Sequence, residues 1–171
     1  MTIIFHLNLC NKKRRLTVKL YLMQHALAYS AEENPEKPLN PAGINQAKAA
    51  ARGIKRLGLS FDLIVASPKR CAHQTAALVA EGVRFPYSDI LTTEAVLPDR
   101  PPQELLTLLQ QEPVASRVLV VGHMPHLAKL ASALMHGGEL LIENAGLTCF
   151  DLDGDNQAKL EFHLRADQVE H

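Results

Sequence analysis

The sequence lacks three features that would each point to a particular class of protein. Its basic and acidic side chains balance at 18 each, so no net charge attracts the chain to nucleic acid or to an anionic membrane. No apolar run approaches the ~20 residues that span a bilayer. The three cysteines are odd in number and have no C-x-x-C spacing, which favours a reducing, cytoplasmic compartment over a disulfide framework. Any affinity for a charged ligand must therefore come from a local site.

The length and composition predict one globular domain. Apolar residues make up 47% of the 171 residues and charged residues 21%, an ordinary balance for a chain that can bury a core. The first ten residues are largely apolar, but basic residues follow them at 12–15, the reverse of the order in a secretory signal. We expect residues 1–17 to form a peripheral N-terminal extension and residues 18–168 to form the domain.

Strand and helix patterns alternate along this domain with short connections, and a hairpin signature closes it. Asp-Gly-Asp-Asn at 153–156 separates the two last strand patterns, 147–152 and 159–164. This alternation predicts an α/β layered sandwich with a mostly parallel central sheet, flanked by helices and ending in an antiparallel hairpin. The other predicted strands are 18–24, 63–66, 90–93 and 118–121, and the predicted helices run from Pro41 to a stop at Gly58, from Pro68 to an end at Gly82, over 102–111 and over 127–135.

Two histidines follow buried strand patterns at the points where those strands run out into loops. His25 follows the strand at 18–24, and His123 follows the strand at 118–121. In an open parallel sheet, ligands bind at the carboxyl ends of the strands. A pair of imidazoles there suggests one nucleophile and one charge stabiliser or proton handler. Position alone leaves open that the two are unrelated polar residues at strand ends.

Four ordered motifs resemble those of the histidine phosphatase superfamily, which is related to phosphoglycerate mutase. The short chain and the segment 143–150 are most similar to the small SixA-type phosphohistidine phosphatases. The resemblance implies a phosphoglycerate mutase-like fold without a cofactor. The motifs are Leu22-Met-Gln-His-Ala26, residues 38–47, Ser67-Pro68 followed by Gln74-Thr75-Ala76, and Val121-Gly-His-Met-Pro125.

The same resemblance implies roles for both histidines. A ring nitrogen of His25 would attack phosphorus and form a phosphohistidine, which water then hydrolyses. An imidazole with a pKa near ~6.5 has the free lone pair that this attack needs at neutral pH. His123 would face the phosphoryl oxygens, as a cation or as a suitably placed neutral tautomer. Alignment and donors around these oxygens are most of what phosphoryl transfer requires.

The chain departs from the family pattern at both expected arginines. Gln24-His25-Ala26 stands where the family has Arg-His-Gly, and Cys71 stands where its second arginine is expected. Arg70 lies one residue early, which turns its side chain by ~100° around a helix. We retain Gln24 and Arg70 as the candidate phosphate ligands. Losing one preorganised donor typically slows an enzyme by ~10²–10³.

Two functions therefore stay open. The first is a phosphatase acting on the phosphohistidine of a phosphotransfer domain or on a small phosphorylated ligand, with reduced or absent turnover as a possibility. A labile phosphoramidate demands less of a catalyst than a stable monoester, which favours phosphohistidine. The second is a degenerate relative that binds phosphate or a phosphorylated partner without turnover. Retention of His25 favours the first, and loss of the arginines favours the second; neither involves nucleic acid or a membrane.

The remaining titratable residues near these motifs are expected to be structural or solvent-exposed. His123 and His126 form an H-x-x-H pair and His136 is nearby, but zinc ligation would need a third partner converging on the pair, so no metal is expected. His126 is expected at the exposed start of a helix. Glu94 and Asp99, which follow the third strand pattern, are interpreted as surface carboxylates rather than as a general acid.

Overall fold

The computed structural model describes residues 18–112, 115–152 and 158–171, in which six strands form one sheet and five helices cover it. Residues 1–17 lie outside the described part, so the expected N-terminal extension stays a prediction. The strands are β1 (Val18–Gln24), β2 (Leu63–Ala66), β3 (Leu91–Thr92), β4 (Arg117–Gly122), β5 (Leu147–Leu152) and β6 (Ala158–Leu164). The helices are α1 (Pro41–Arg56), α2 (Arg70–Val83), α3 (Pro102–Gln110), α4 (His126–Leu134) and α5 (Ala166–Glu170).

The sheet has the order β3-β2-β4-β1-β5-β6. Its first four strands are mutually parallel, whereas β5 and β6 form an antiparallel hairpin that pairs with β1. The interiors of β1 and β4 are buried on both faces, as their continuous apolar character indicates. The predicted layered sandwich with a mostly parallel sheet and a closing hairpin is confirmed.

Helices pack on both faces of the sheet and create two separate cores. One core contains Ala47 and Ile54 of α1, Val79 of α2 and Val169 of α5. The core on the opposite face contains apolar residues of α3 and α4, such as Leu105 and Leu130. The packed chain extends to Glu170, slightly beyond the predicted boundary at residue 168. No helix of the described residues is long and apolar enough to cross a membrane.

The helix α2 continues through the glycine that was predicted to end it. It runs to Val83, and Arg84 caps it in the left-handed conformation at φ 60°. Gly82 serves close packing instead, since a Cβ added there would lie 2.6 Å from the Cβ of Ala51 on α1. The predicted stop at Gly58 fits the structure, because this residue follows α1 with φ at +71°.

The start of α4 also differs from the prediction. The expected exposure of His126 is wrong, because its side chain is completely buried. The helix begins at His126 itself, directly after Pro125, and the imidazole lies near the backbone of Ala95. The local Met-Pro-His pattern indicates a turn into a helix. It does not indicate which side chains of that turn are buried in the core.

Candidate active site

The carboxyl ends of the two central parallel strands bring His25 and His123 together. Gln24 of β1 is directly opposite Gly122 of β4, and the His25 N–H donates to the Gly122 carbonyl at 3.0 Å. The two imidazole centroids are 5.2 Å apart, with the rings inclined by 58°. The two histidines therefore lie at one site, as expected for residues that follow neighbouring parallel strands.

One ring nitrogen of His25 is occupied by its own loop. The Nδ1 atom lies 2.7 Å from the Ala26 carbonyl oxygen, so Nδ1–H donates and the lone pair resides on Nε2. Burial lowers the pKa of His25, and the nearby Lys37 and Lys69 ammonium groups lower it further, against the raising effect of the Ala26 carbonyl. At neutral pH, His25 is therefore a neutral imidazole with a free lone pair on Nε2.

Hydrogen bonds from two other elements hold the backbone around His25. The Ala26 N–H donates to the Thr75 hydroxyl at 3.0 Å, and this hydroxyl donates to the Cys71 carbonyl one turn earlier in α2 at 2.7 Å. The Asn144 side-chain amide donates to the His25 carbonyl at 2.8 Å. Both Thr75 and Asn144 lie within segments that carry the family resemblance, but the sequence assigned neither of them a role in holding His25.

The loop after His25 is fixed to the first two helices by glutamine side chains. The Leu27 N–H donates to Gln46 of α1 at 3.1 Å, and the Leu39 N–H donates to Gln74 of α2 at 2.8 Å. Gly43 allows this approach, since a Cβ there would come within 1.8 Å of the Leu27 carbonyl oxygen. These contacts give the motifs at 38–47 and 74–76 a common structural role.

His123 is almost fully buried and neutral. Its Nε2 lies 2.8 Å from the hydroxyl of Ser67, which follows β2 and is itself completely buried. Burial, and secondarily the charges of His25, Lys69 and His126, lower the pKa of His123 to about 3. His123 can therefore donate to a phosphoryl oxygen through a neutral N–H, while an imidazolium is excluded near neutral pH.

A cavity of about 600 Å³ opens over the two histidines. Lys37, Lys69 and Arg70 contribute positive charge to it, and Glu36 is the only acidic residue among the described residues that line it. Gln24, Cys71 and Asn144 also line it. A larger cavity of about 780 Å³ lies between the ends of α3 and α4, but it contains neither His25 nor His123. The smaller cavity is the candidate active site.

Cys71, and not Arg70, faces the histidines. Arg70 begins α2 at the rim of the cavity, and its guanidinium forms an ion pair with Glu36. Cys71 is only 5% exposed, and its sulfur lies within 4.8 Å of a ring nitrogen of each histidine. Burial raises the pKa of the Cys71 thiol, so it is neutral at pH 7. The register of α2 thus places a thiol where the family pattern has a guanidinium.

Gln24 lies at the pocket as the sequence predicts, whereas the two candidate acids lie outside it. The half-buried Gln24 ends β1 and lines the cavity with its neighbour His25. Glu94 is 72% exposed and pairs with Arg100 at 3.4 Å. Asp99 is exposed as well. Both carboxylates are at the surface, in line with the sequence interpretation.

Known proteins share both the sequence pattern and this fold. The profile of the histidine phosphatase superfamily (branch 1) matches residues 20–94. An uncharacterized protein of Picosynechococcus sp. strain PCC 7002 is 28% identical over 125 residues, which cover 70% of this chain and 74% of that protein. The segment matched by the profile contains most of β1 and all of α1, β2, α2 and β3, and with them His25 but not His123.

Three solved structures illustrate the structural likeness. The protein histidine phosphatase SixA complexed with tungstate superposes with a TM-score of 0.81 at 19% identity, covering 89% of this chain and 99% of that one. A SixA protein from Agrobacterium tumefaciens gives 0.68 at 26% identity, covering 86% and 97%. The alpha-ribazole phosphatase from Shigella flexneri gives 0.72 at 16% identity, covering 87% and 97%. The expected phosphoglycerate mutase-like fold is therefore confirmed.

Proposed function

Since the chain belongs to the histidine phosphatase superfamily and is SixA-like in fold, we propose that it hydrolyses phosphohistidine in a phosphorylated protein through a covalent phosphohistidine on His25. The observation that carries this proposal is the state of His25. Its Nδ1–H is bound to the Ala26 carbonyl, and its Nε2 lone pair is free beside His123 in a cationic cavity.

The proposed reaction has two displacement steps at phosphorus. In the first, Nε2 of His25 forms a bond to phosphorus while the bond to the substrate imidazole breaks, and that imidazole takes a proton from solvent. In the second, water forms the P–O bond, the bond to Nε2 breaks and inorganic phosphate leaves. The free His25 imidazole is restored at the end of the cycle.

The cavity supplies donors for the three equatorial oxygens of the transferred group. His123 offers a neutral ring N–H, and Gln24 offers the two N–H bonds of its side-chain amide. Lys37 and Lys69 add two positive charges at the same opening. Such preorganised donors stabilise the charge that spreads over the oxygens in a loose transition state. The amide and lysines thus take the place of the two guanidiniums of the family pattern.

Two features support phosphohistidine rather than a phosphate monoester as the substrate. Glu36 is the single acid lining the described cavity, and its carboxylate is already paired with Arg70 at the rim. Cleavage of a labile P–N bond to imidazole needs less help from a general acid than release of an alkoxide. A solved structure with this fold is named a protein histidine phosphatase, although the alpha-ribazole phosphatase has the same fold. A small phosphorylated ligand is the alternative substrate.

A non-catalytic phosphate-binding protein is the second candidate function. Gln24 and Cys71 are both neutral where the family pattern has arginines, and charge-assisted hydrogen bonds are roughly twice as strong as neutral ones. In this reading, the lysines still attract phosphate to the cavity, but the transition state is not stabilised enough for turnover.

The test measures phosphate release from a phosphotransfer protein that carries a radiolabelled phosphohistidine. The wild type is compared with His25→Ala and with His73→Ala, a matched control on α2 that does not line the cavity. Release by the wild type and the control but not by His25→Ala supports the proposal. Rapid quenching should then also trap the label on this chain. Binding of inorganic phosphate without release or labelling would favour the second candidate.

A further inference from the structure

Three metal-ligating groups converge inside the cavity from three separate elements. His25 follows β1, Cys71 lies in the first turn of α2, and His123 follows β4. One ring nitrogen of each histidine and the thiol sulfur all lie within 4.8 Å of one another. The expectation of no metal rested on the H-x-x-H pair, whose second member, His126, is not part of this cluster. The sequence does not reveal this cluster, because His25, Cys71 and His123 are distant from one another along the chain.

From this convergence, we propose that His25, Cys71 and His123 bind Zn²⁺, and that the bound ion blocks the pocket. Metal binding by these side chains stands independently, while inhibition of turnover rests on the proposed phosphatase function. Tetrahedral Zn²⁺ with Zn–S of ~2.3 Å and Zn–N of ~2.0–2.1 Å places its ligand atoms ~3.3–3.6 Å apart. Small side-chain rotations would close the cluster to that separation.

The hydrogen bonds of both histidines suit this coordination. Nδ1 of His25 donates to the Ala26 carbonyl, and Nε2 of His123 contacts the Ser67 hydroxyl. Histidine ligands commonly bond through their second nitrogen to such an outer partner, which fixes the ring and raises its basicity. The atoms left for the metal are then Nε2 of His25 and Nδ1 of His123. Coordination requires the tautomer of His123 in which Nε2–H donates to the Ser67 hydroxyl, whereas the Nδ1–H tautomer is the one that would serve a phosphoryl oxygen.

The thiol determines which ion the site selects. Zn²⁺ replaces the Cys71 proton, which leaves to solvent, so that a thiolate compensates part of the charge of the ion. Thiolate and imidazole donors favour Zn²⁺ over Mg²⁺ or Ca²⁺, which prefer oxygen ligands. Lys37 and Lys69 oppose a cation here, and an anion or hydroxide in the fourth position would offset their charge. An arginine at position 71 would abolish the site.

Coordination would silence the proposed reaction directly. The lone pair on Nε2 of His25 would be bonded to the metal and unable to attack phosphorus. The ion would also occupy the space between the histidines where the phosphoryl group is transferred. Removal of Zn²⁺ by a chelator should therefore restore full activity without any refolding.

The experiment uses Co²⁺ as a spectroscopic probe for the Zn²⁺ site in metal-free full-length protein. Cys10 is replaced by serine throughout, since it is the third cysteine of the chain. The variants are Cys71→Ser and, as a matched control, Cys149→Ser, whose buried thiol lies in β5 outside the cavity. Unfolding curves of each variant check that the fold is intact. Competition by Zn²⁺ for bound Co²⁺ gives the affinity.

The expected result is one Co²⁺ per chain, with a thiolate-to-cobalt charge-transfer band that Zn²⁺ abolishes. The band should persist in Cys149→Ser and vanish in folded Cys71→Ser. Groups that only hydrogen-bond to a metal ligand contribute ~10–100-fold to metal affinity. Loss of the ligand sulfur itself should therefore weaken Zn²⁺ binding by more than ~100-fold. Absence of the band in the parent protein, or its survival in Cys71→Ser, would overturn the metal site.

Phosphohistidine hydrolysis separates the two proposals. If the metal-free protein is active, stoichiometric Zn²⁺ should stop hydrolysis in Cys149→Ser but not in Cys71→Ser. Binding without inhibition would overturn the regulatory part. If the metal-free protein is inactive, the proposed function is wrong, and so is the proposed inhibition of it. The cobalt spectrum still decides in that case whether the ion binds.

Discussion

The backbone N–H of Ala26 donates to the side-chain hydroxyl of Thr75 across 3.0 Å of buried space. This bond joins the loop that carries His25, the proposed nucleophile, to the helix that carries Cys71. The same hydroxyl donates to the Cys71 carbonyl, so Thr75 sets the spacing between the two sides of the cavity. Thr75 is uncharged and takes no part in the proposed reaction, yet it positions the backbone next to both His25 and Cys71.

Replacement of Thr75 by valine should destabilise the protein and impair the site. Valine keeps the shape of threonine but leaves the buried Ala26 N–H without an acceptor, which costs about 1–3 kcal/mol. Urea unfolding should show this loss, and kcat for phosphohistidine hydrolysis should fall because His25 is less well held. Thr75→Ser, which keeps the hydroxyl, should stay close to the wild type. Equal behaviour of the two variants would contradict this role.

Replacement of Cys71 by arginine should strengthen phosphate binding and accelerate hydrolysis. The new guanidinium would enter the cavity beside both histidines, where it can donate to the equatorial oxygens. One preorganised donor is worth ~10²–10³ in rate, so a gain of that order in kcat/KM is expected. Cys71→Met adds bulk without charge and should give no gain. An increase in both variants would exclude the electrostatic explanation.

Replacement of Gly43 by alanine should disturb the cavity from a distance. The added Cβ would lie 1.8 Å from the Leu27 carbonyl oxygen, so the loop after His25 must shift. Overpacking of this kind typically costs 1–3 kcal/mol, and both stability and kcat should fall. Gly58→Ala is the matched control, because its Cβ meets no atom within 4 Å and only its φ of +71° is unfavourable. That variant should lose stability but keep its activity.

Acid should destabilise the fold through its buried histidines. Burial lowers the pKa of His126 in the folded state, and the raising effect of the Ala95 backbone offsets only part of this. The unfolded chain therefore binds more protons, so stability is full above pH ~6.5 and declines as the pH falls below that value. Because His123, with a pKa of about 3, behaves in the same way, the decline should continue towards pH 3.

His126→Leu tests how much of the loss of stability in acid comes from His126. Leucine is apolar at a completely buried position and cannot be protonated, so the variant should gain stability relative to the wild type as the pH falls. Free energies of unfolding in urea at pH 8 and pH 5 provide the comparison. Parallel losses in the wild type and the variant would show that His126 does not contribute to the acid sensitivity.

The sequence was sufficient to predict the sheet and the proximity of His25 and His123. The strands that precede His25 and His123 are continuous apolar runs, and the rule that parallel strands share a carboxyl edge needs no further information. The fold prediction was correct for the same reason. The shortest strand, β3, was predicted two residues too long, since so short an element is defined by its pairing rather than by its own pattern.

Contacts between distant elements were beyond prediction. Asn144 reaches the His25 carbonyl only because β5 pairs with β1, and no local pattern encodes that pairing. The position of Arg70 depended on where α2 begins, because one residue of helix turns a side chain by ~100°. Burial of His126 likewise depends on how α4 meets the sheet. The side chains that a tertiary contact orients are therefore the ones whose positions the sequence left open or, for His126, predicted wrongly.

The side chains whose hydrogen bonds hold the backbone around and after His25 are Gln46, Gln74, Thr75 and Asn144, and none of them carries a charge. Those that would meet the phosphoryl group, such as Gln24 and Lys69, are a different set. Architecture and reactivity can therefore diverge independently in descendants of such a protein. A gene duplicate could exchange cations for amides or thiols, becoming a sensor or a slower catalyst, without first rebuilding the scaffold on which it folds.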